Sequence, residues 1–150
     1  MKKLICGLFA ILLVTVYVHA AYAAAHAGVL HIPDANISVS LYESSAQSVV
    51  DAENSAACFW WQGWIIADHN NQAFRALQNV SVGDEAIIYH PSGQTIRLKC
   101  VYRGEGRNTG HDLTVDGKSM FGRYDYLMYT CKNKAASRKR IILTGWEVTP

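Results

Sequence analysis

Turn residues cut this chain into short pieces, and that limits its fold more than any other feature. Pro33, Ser81-Val82-Gly83-Asp84, Pro91-Ser92-Gly93, Asp116-Gly117 and Gly122 separate runs rich in Val, Ile, Thr and aromatic residues. Runs of that kind, bounded by Gly, Pro, Asp and Ser, read as β-strands. Val29-Leu30-His31-Ile32 ends at a proline, and Ile37-Ser38-Val39-Ser40-Leu41 alternates apolar and polar residues, as a half-buried strand does. Phe59 to Ala67, with Trp60, Trp61 and Trp64, reads as one buried strand, its Gly63 marking a close backbone approach. Ala86 to His90 and Gln94 to Tyr102 read as a β-hairpin. Leu113 to Val115 is a further short strand, and Tyr124 to Cys131 and Arg140 to Val148 are the last two. Gly104 to Gly110 reads as a polar, glycine-rich loop. Helix is confined to one turn at Ser48 to Ala52 and a short piece carrying Phe74 and Leu77 at i, i+3, with Asn71 as its cap. The pattern predicts an all-β barrel or sandwich of about seven or eight strands, with no second domain and no repeat.

Composition narrows the function classes. Half of the residues are apolar and only 17% are charged, which excludes a disordered chain. Met1-Lys2-Lys3 followed by the apolar run Leu4 to Val18 has the form of a secretory signal, and Ala21-Tyr22-Ala23 supplies its cleavage site. The run is about 15 residues, short of the roughly 20 that a membrane span needs. Residues 1–23 are therefore expected to be a signal peptide, and 24–150 the functional domain. The alternative is an uncleaved N-terminal anchor with membrane association through that segment. Either way the domain is exported. Without Lys2 and Lys3 the 14 basic residues become 12, against 12 acidic ones, so no basic stripe argues for nucleic acid.

Export changes how the cysteines are read. Cys6 lies in the signal, and Cys58, Cys100 and Cys131 remain. The simplest partition joins Cys58 to Cys100 and leaves Cys131 outside the bond. There is no CxxC pair and no HExxH, so neither a metal nor another cofactor is expected.

Cys131 ends a β-prone run and adjoins a basic stretch: Lys132, Lys134, Arg138, Lys139 and Arg140. Positive charge favours thiolate over thiol, so this cysteine is the candidate nucleophile. His69 stands where the Trp-rich strand surfaces, a rigid and partly shielded place suited to acid–base work. Arg138 and Arg140 fall on one face of an extended chain, and a guanidinium there can hold a carbonyl or an oxyanion. Periodicity does not choose between them.

In this order the residues resemble the sortases, exported bacterial cysteine transpeptidases. Leu30-His31-Ile32-Pro33 resembles the family's opening L-x-I-P. Gly63-Trp64-Ile65-Ile66-Ala67-Asp68-His69 resembles the glycine and apolar strand that lead to its catalytic histidine. Phe74 and Leu77, then Gly83-Asp84, resemble the F-x-x-L and G-D that follow. Thr130-Cys131 matches the end of T-L-x-T-C, and Arg140-Ile141-Ile142-Leu143 resembles the strand after the cysteine.

The resemblance implies a closed eight-stranded β-barrel with one or two short helices. It implies Cys131 as nucleophile, His69 as acid–base, Arg140 rather than Arg138 as the substrate or oxyanion group, and Thr130 as an aid to either. The implied partners are a protein bearing a sorting-signal peptide and an amine acceptor, either a cell-wall precursor or a protein lysine. The implied location is the cell surface. Leu127-Met128 replaces the motif's Thr-Leu, and Asp68 replaces the usual small residue before the histidine, where a carboxylate would raise the imidazole's pKa. A barrel of the same shape that binds a peptide or wall component without chemistry is the alternative.

Overall fold

The computed structural model describes residues 24–132 and 140–150. The expected signal at 1–23 and Arg138 lie outside the described residues. Ten strands run in chain order: β1 (Ala25–Ile32), β2 (Ile37–Glu43), β3 (Ser55–Trp60), β4 (Trp64–Ala67), β5 (Glu85–Tyr89), β6 (Thr95–Asn108), β7 (Leu113–Val115), β8 (Lys118–Ser119), β9 (Tyr126–Cys131) and β10 (Arg140–Thr149). Two 3₁₀ segments, η1 (Pro33–Ala35) and η2 (Ala73–Asn79), and one short helix, α1 (Gln47–Asp51), complete the described residues.

Eight strands form a ring in the order β10-β9-β4-β3-β2-β1-β5-β6, and pairing of β6 with β10 closes it. The expected all-β, closed eight-stranded barrel is the architecture found. Closure leaves these strands no unpaired edge. Most neighbours are antiparallel, but β2 pairs with β3 and β4 pairs with β9 in parallel. The β2–β3 connection contains α1, since parallel neighbours need a crossover rather than a tight turn.

Every ring strand sends residues into one core, among them Leu30, Val39, Ala56, Ile66, Ile88, Leu98, Met128 and Trp146, and η2 adds Phe74 and Leu77. The Trp146 indole is buried, and its N–H donates to Thr144 Oγ1 at 2.8 Å, so its polar end is satisfied. On their other face, β4, β9 and β10 contribute Ile65, Leu127, Ile141 and Leu143 to a second cluster with Leu113 and Met120. Strands buried on both faces read as continuous apolar runs, which is why Tyr126 to Cys131 lacks alternation.

Four expectations are corrected. Phe59 to Ala67 is not one strand but a hairpin: β3 and β4 pair antiparallel, Trp60 opposite Trp64. Gln62 (φ 54°) and Gly63 (φ 140°) form its turn, and Trp60 and Trp61 are exposed rather than buried. Gly104 to Asn108 is not loop but the end of β6, laddered to β10 from Arg107–Arg140 to Gly104–Leu143. Its glycines are packing requirements, since a Cβ on Gly106 would stand 2.4 Å from the Thr114 carbonyl oxygen. Asn71 does not cap η2: its N-cap position is Gln72, without a side-chain cap hydrogen bond. Cys58 and Cys100 are both free, buried thiols. They sit on β3 and β6, with three strands between them either way around the ring. A disulfide needs Cα atoms about 4.4–6.8 Å apart, which opposite walls of a filled barrel do not provide. Burial instead pushes the Cys58 thiol up to about 12, with Glu43 adding to the shift.

The close approach at Gly106 is testable. Gly106→Ala is expected to destabilise the domain by about 1–3 kcal/mol through overpacking, read from the urea midpoint. An unchanged midpoint would mean that β6 does not continue past Gly104.

Candidate active site

Parallel register brings the ends of two strands together. Ala67 on β4 stands opposite Tyr129 on β9, and His69 and Cys131 each follow two residues later. The seam is extended beyond the register by a buried hydrogen bond, in which the Thr130 hydroxyl donates to the Asp68 carbonyl oxygen at 2.8 Å. Thr130 therefore ties the residue before the histidine to the residue before the cysteine.

Asp68 does the next part. Its carboxylate turns inward, is buried, and accepts the backbone N–H groups of His69 at 2.6 Å and Phe74 at 3.2 Å. Those bonds fix the chain between β4 and η2, and with it the backbone of His69. Burial pushes the Asp68 carboxyl up to about 6, and the hydrogen bonds from His69 and Phe74 only partly oppose that. The charge of His69 also draws the Asp68 carboxyl down, so the two side chains do interact as expected, but the carboxylate in contact with the ring is Asp51. His69 Nε2 lies 2.7 Å from Asp51 Oδ1, and the Gln47 amide donates to the same oxygen at 2.9 Å. Both partners come from α1, which is fastened to the turn by a hydrogen bond from the Gln72 amide to the Val50 carbonyl at 3.0 Å. Nothing local in the sequence marks Asp51, because its role arises only when the β2–β3 crossover folds onto the end of β4.

Cys131 is half-buried and lines a cavity of about 150 Å³ with Arg75, Asn70, Gln78, Lys132 and Ile142. Its strand partner is Ile141, and the Lys132 N–H donates to the Arg140 carbonyl at 2.8 Å, so the backbones of β9 and β10 meet at the cysteine. The exposed Arg140 side chain lines a different cavity, with Glu105, Arg107 and Asp116. Lys132 ion-pairs with Glu105 at 2.5 Å, and this bond, with Arg140 and Arg103 nearby, holds the Glu105 carboxyl below its usual range. The guanidinium lining the cysteine's own cavity is that of Arg75. In the sequence it stands inside Phe74-Arg75-Ala76-Leu77, a segment whose apolar spacing marks Phe74 and Leu77 but not the arginine between them.

No protein-family model matches the sequence, and no curated protein matches it. Solved structures do. Sortase C1 from Streptococcus suis superposes with a TM-score of 0.65 at 15% identity, over 91% of this chain and 79% of that one. A sortase D5 transpeptidase from Clostridium perfringens gives 0.64 at 18% identity, over 83% and 79%. Sortase A from Corynebacterium diphtheriae gives 0.63 at 13% identity, over 85% of this chain and 62% of that one.

Asp68 makes a pH prediction. Its carboxyl titrates near 6 when folded but at 3.8 in its ordinary state, so the fold holds this proton more tightly than the unfolded chain. The resulting stabilisation is complete below the lower value and is lost as pH rises through about 6, by on the order of 3 kcal/mol. The stability difference between the natural chain and Asp68→Asn, measured by denaturant titration, is expected to move against the natural chain by that order between pH 4 and pH 7. A difference independent of pH would show that Asp68 is not a desolvated acid.

The closed ring, its two parallel seams and these superpositions together give the chain the sortase fold.

Proposed function

We propose that the protein is a sortase-type cysteine transpeptidase, exported and working at the cell surface. The observation that carries this is the β4–β9 seam, which sets His69 and Cys131 at one end of the barrel and locks them there through Thr130 and Asp68. The Cys131 sulfur attacks the carbonyl carbon of a sorting-signal peptide. The thiol's proton passes to His69, the C–N bond breaks as the thioester forms, and His69 gives that proton to the departing amine. An acceptor amine then attacks the thioester, His69 takes its proton, and the thiol is restored. The acceptor is a cell-wall precursor or a protein lysine. One solved neighbour, a Clostridium perfringens sortase C, was crystallised with the C-terminal cell wall sorting motif.

Asp51 holds His69 at Nε2, which makes Asp51 a positioning residue for the imidazole. Arg140 is assigned by resemblance to the substrate or oxyanion, and Arg75 is the cation lining the thiol's cavity. Thr130 serves through its hydroxyl, which donates to the Asp68 carbonyl.

A thiol-reactive peptidyl electrophile tests the proposal. It is expected to modify Cys131, and not the buried Cys58 or Cys100. His69→Ala should slow labelling by about 100-fold or more, and Asp51→Asn by about tenfold, the loss of one charged hydrogen bond. Arg140→Ala and Arg75→Ala, compared on the same readout, show which guanidinium acts. Labelling of Cys131 that ignores His69→Ala would sink the transpeptidase, and an inert Cys131 in the folded protein would leave a binding barrel.

A further inference from the structure

The far end of the same two strands has a different chemistry. The β3–β4 turn, the loop entering β9 and the end of β10 surround an open cleft of about 670 Å³. Its wall is aromatic: the Trp60 ring meets Trp64 edge to face at 5.6 Å, and Trp64 stacks on Tyr126 at 6.3 Å. Trp60 is 64% exposed and Trp61 beside it 56%, although core aromatics elsewhere, such as Trp146, are fully buried. Large exposed aromatics set together on a rigid hairpin mark a binding surface.

The groups around the aromatics are polar and planar. Gln94, Arg123 and Glu147 line the cleft along with the aromatic rings. Arg123 is held in place by donation from its Nε to the Ser119 carbonyl at 2.6 Å. Asp125, also in the lining, accepts the Val148 N–H at 2.8 Å, which fixes the β10 side. Two carboxylates against one guanidinium do not suit an anionic ligand. Aromatic faces flanked by amide, carboxylate and guanidinium edges suit a pyranose: its C–H face packs on the ring, and its hydroxyls both donate to and accept from the planar groups.

We propose that this cleft is a carbohydrate-binding site that takes a glycan chain. It is separate from the cysteine. Tyr126 lines the cleft and Cys131 ends the same strand, five residues further on, or roughly 17 Å at strand rise. The site therefore does not depend on the assignment of Cys131, and both ends can be occupied at once.

The purified full chain, titrated with β-1,4-linked N-acetylglucosamine tetramer and with cellotetraose, tests it by tryptophan fluorescence. A saturable change with at least one of them is expected. Trp60→Ala should weaken that binding by about tenfold or more, the loss of one stacking platform, and Gln94→Ala should weaken it further in combination. Trp60 is outside the core, so its variant should keep the natural circular dichroism and urea midpoint. Val82→Ala, an exposed apolar residue away from the cleft, should leave binding unchanged. No saturable binding of either oligosaccharide would overturn the proposal, as would binding that keeps its natural affinity in Trp60→Ala.

Discussion

The parallel pairing of β4 with β9 is the interaction on which the rest depends. An antiparallel seam would set Cys131 beside Trp64 and leave His69 at the other end of the barrel. Parallel pairing requires the chain to leave the end of β4, build η2 and β5 to β8, and return in the same direction. It also closes the wall between the two parts of the ring, since β4 is joined to β3 on one side and β9 to β10 on the other. Contacts this distant in sequence form at a large cost in loop entropy. The Thr130–Asp68 bond is buried, so water does not compete for it, and it holds the seam where the register ends.

Asp68 shows what holding the site costs. A buried carboxylate is unfavourable, and its raised pKa measures that penalty. Two backbone N–H groups, that of His69 just after β4 and that of Phe74 at the start of η2, offset part of it. A small residue at 68 would avoid the charge but release the turn. The imidazole is then aligned from a second direction by Asp51, which lies on α1 in the other parallel crossover. Both parallel seams of the barrel thus bear on His69, one through its backbone and one through its ring.

Much of this was legible in the sequence, for identifiable reasons. Ile37 to Leu41 could be read because one face is buried and the other wet, which writes alternation into the residues. The strand ends at His69, Cys131 and Arg140 could be read because polar residues follow apolar runs abruptly. Phe59 to Ala67 misled because tryptophan looks like core whether or not a turn exposes it, and the turn hinged on Gln62 and Gly63 alone. Gly104 and Gly106 misled in the opposite sense: glycine signals a loop, but here it admits the Tyr102 ring and the Thr114 backbone. Cysteine counting offered Cys58 and Cys100 as partners, but the ring order sets them on opposite walls. Asp51 and Arg75 were invisible because each reaches the site through a contact between elements distant in sequence.

An eight-stranded ring filled by side chains has no interior left for a ligand. Here Trp146, Met128, Phe74 and Leu77 occupy it. Room for a ligand is therefore confined to the rims, and the two rims have diverged. Around Cys131 the groups are charged: Arg75, Lys132, Glu105 and, across the seam, Asp51. Around Trp64 they are aromatic and hydrogen-bonding. Because β4 and β9 run in parallel from one rim to the other, a substitution that shifts their register displaces both rims together. Rim residues such as Trp60 and Arg75 lie outside that seam, so their side chains can change without disturbing it.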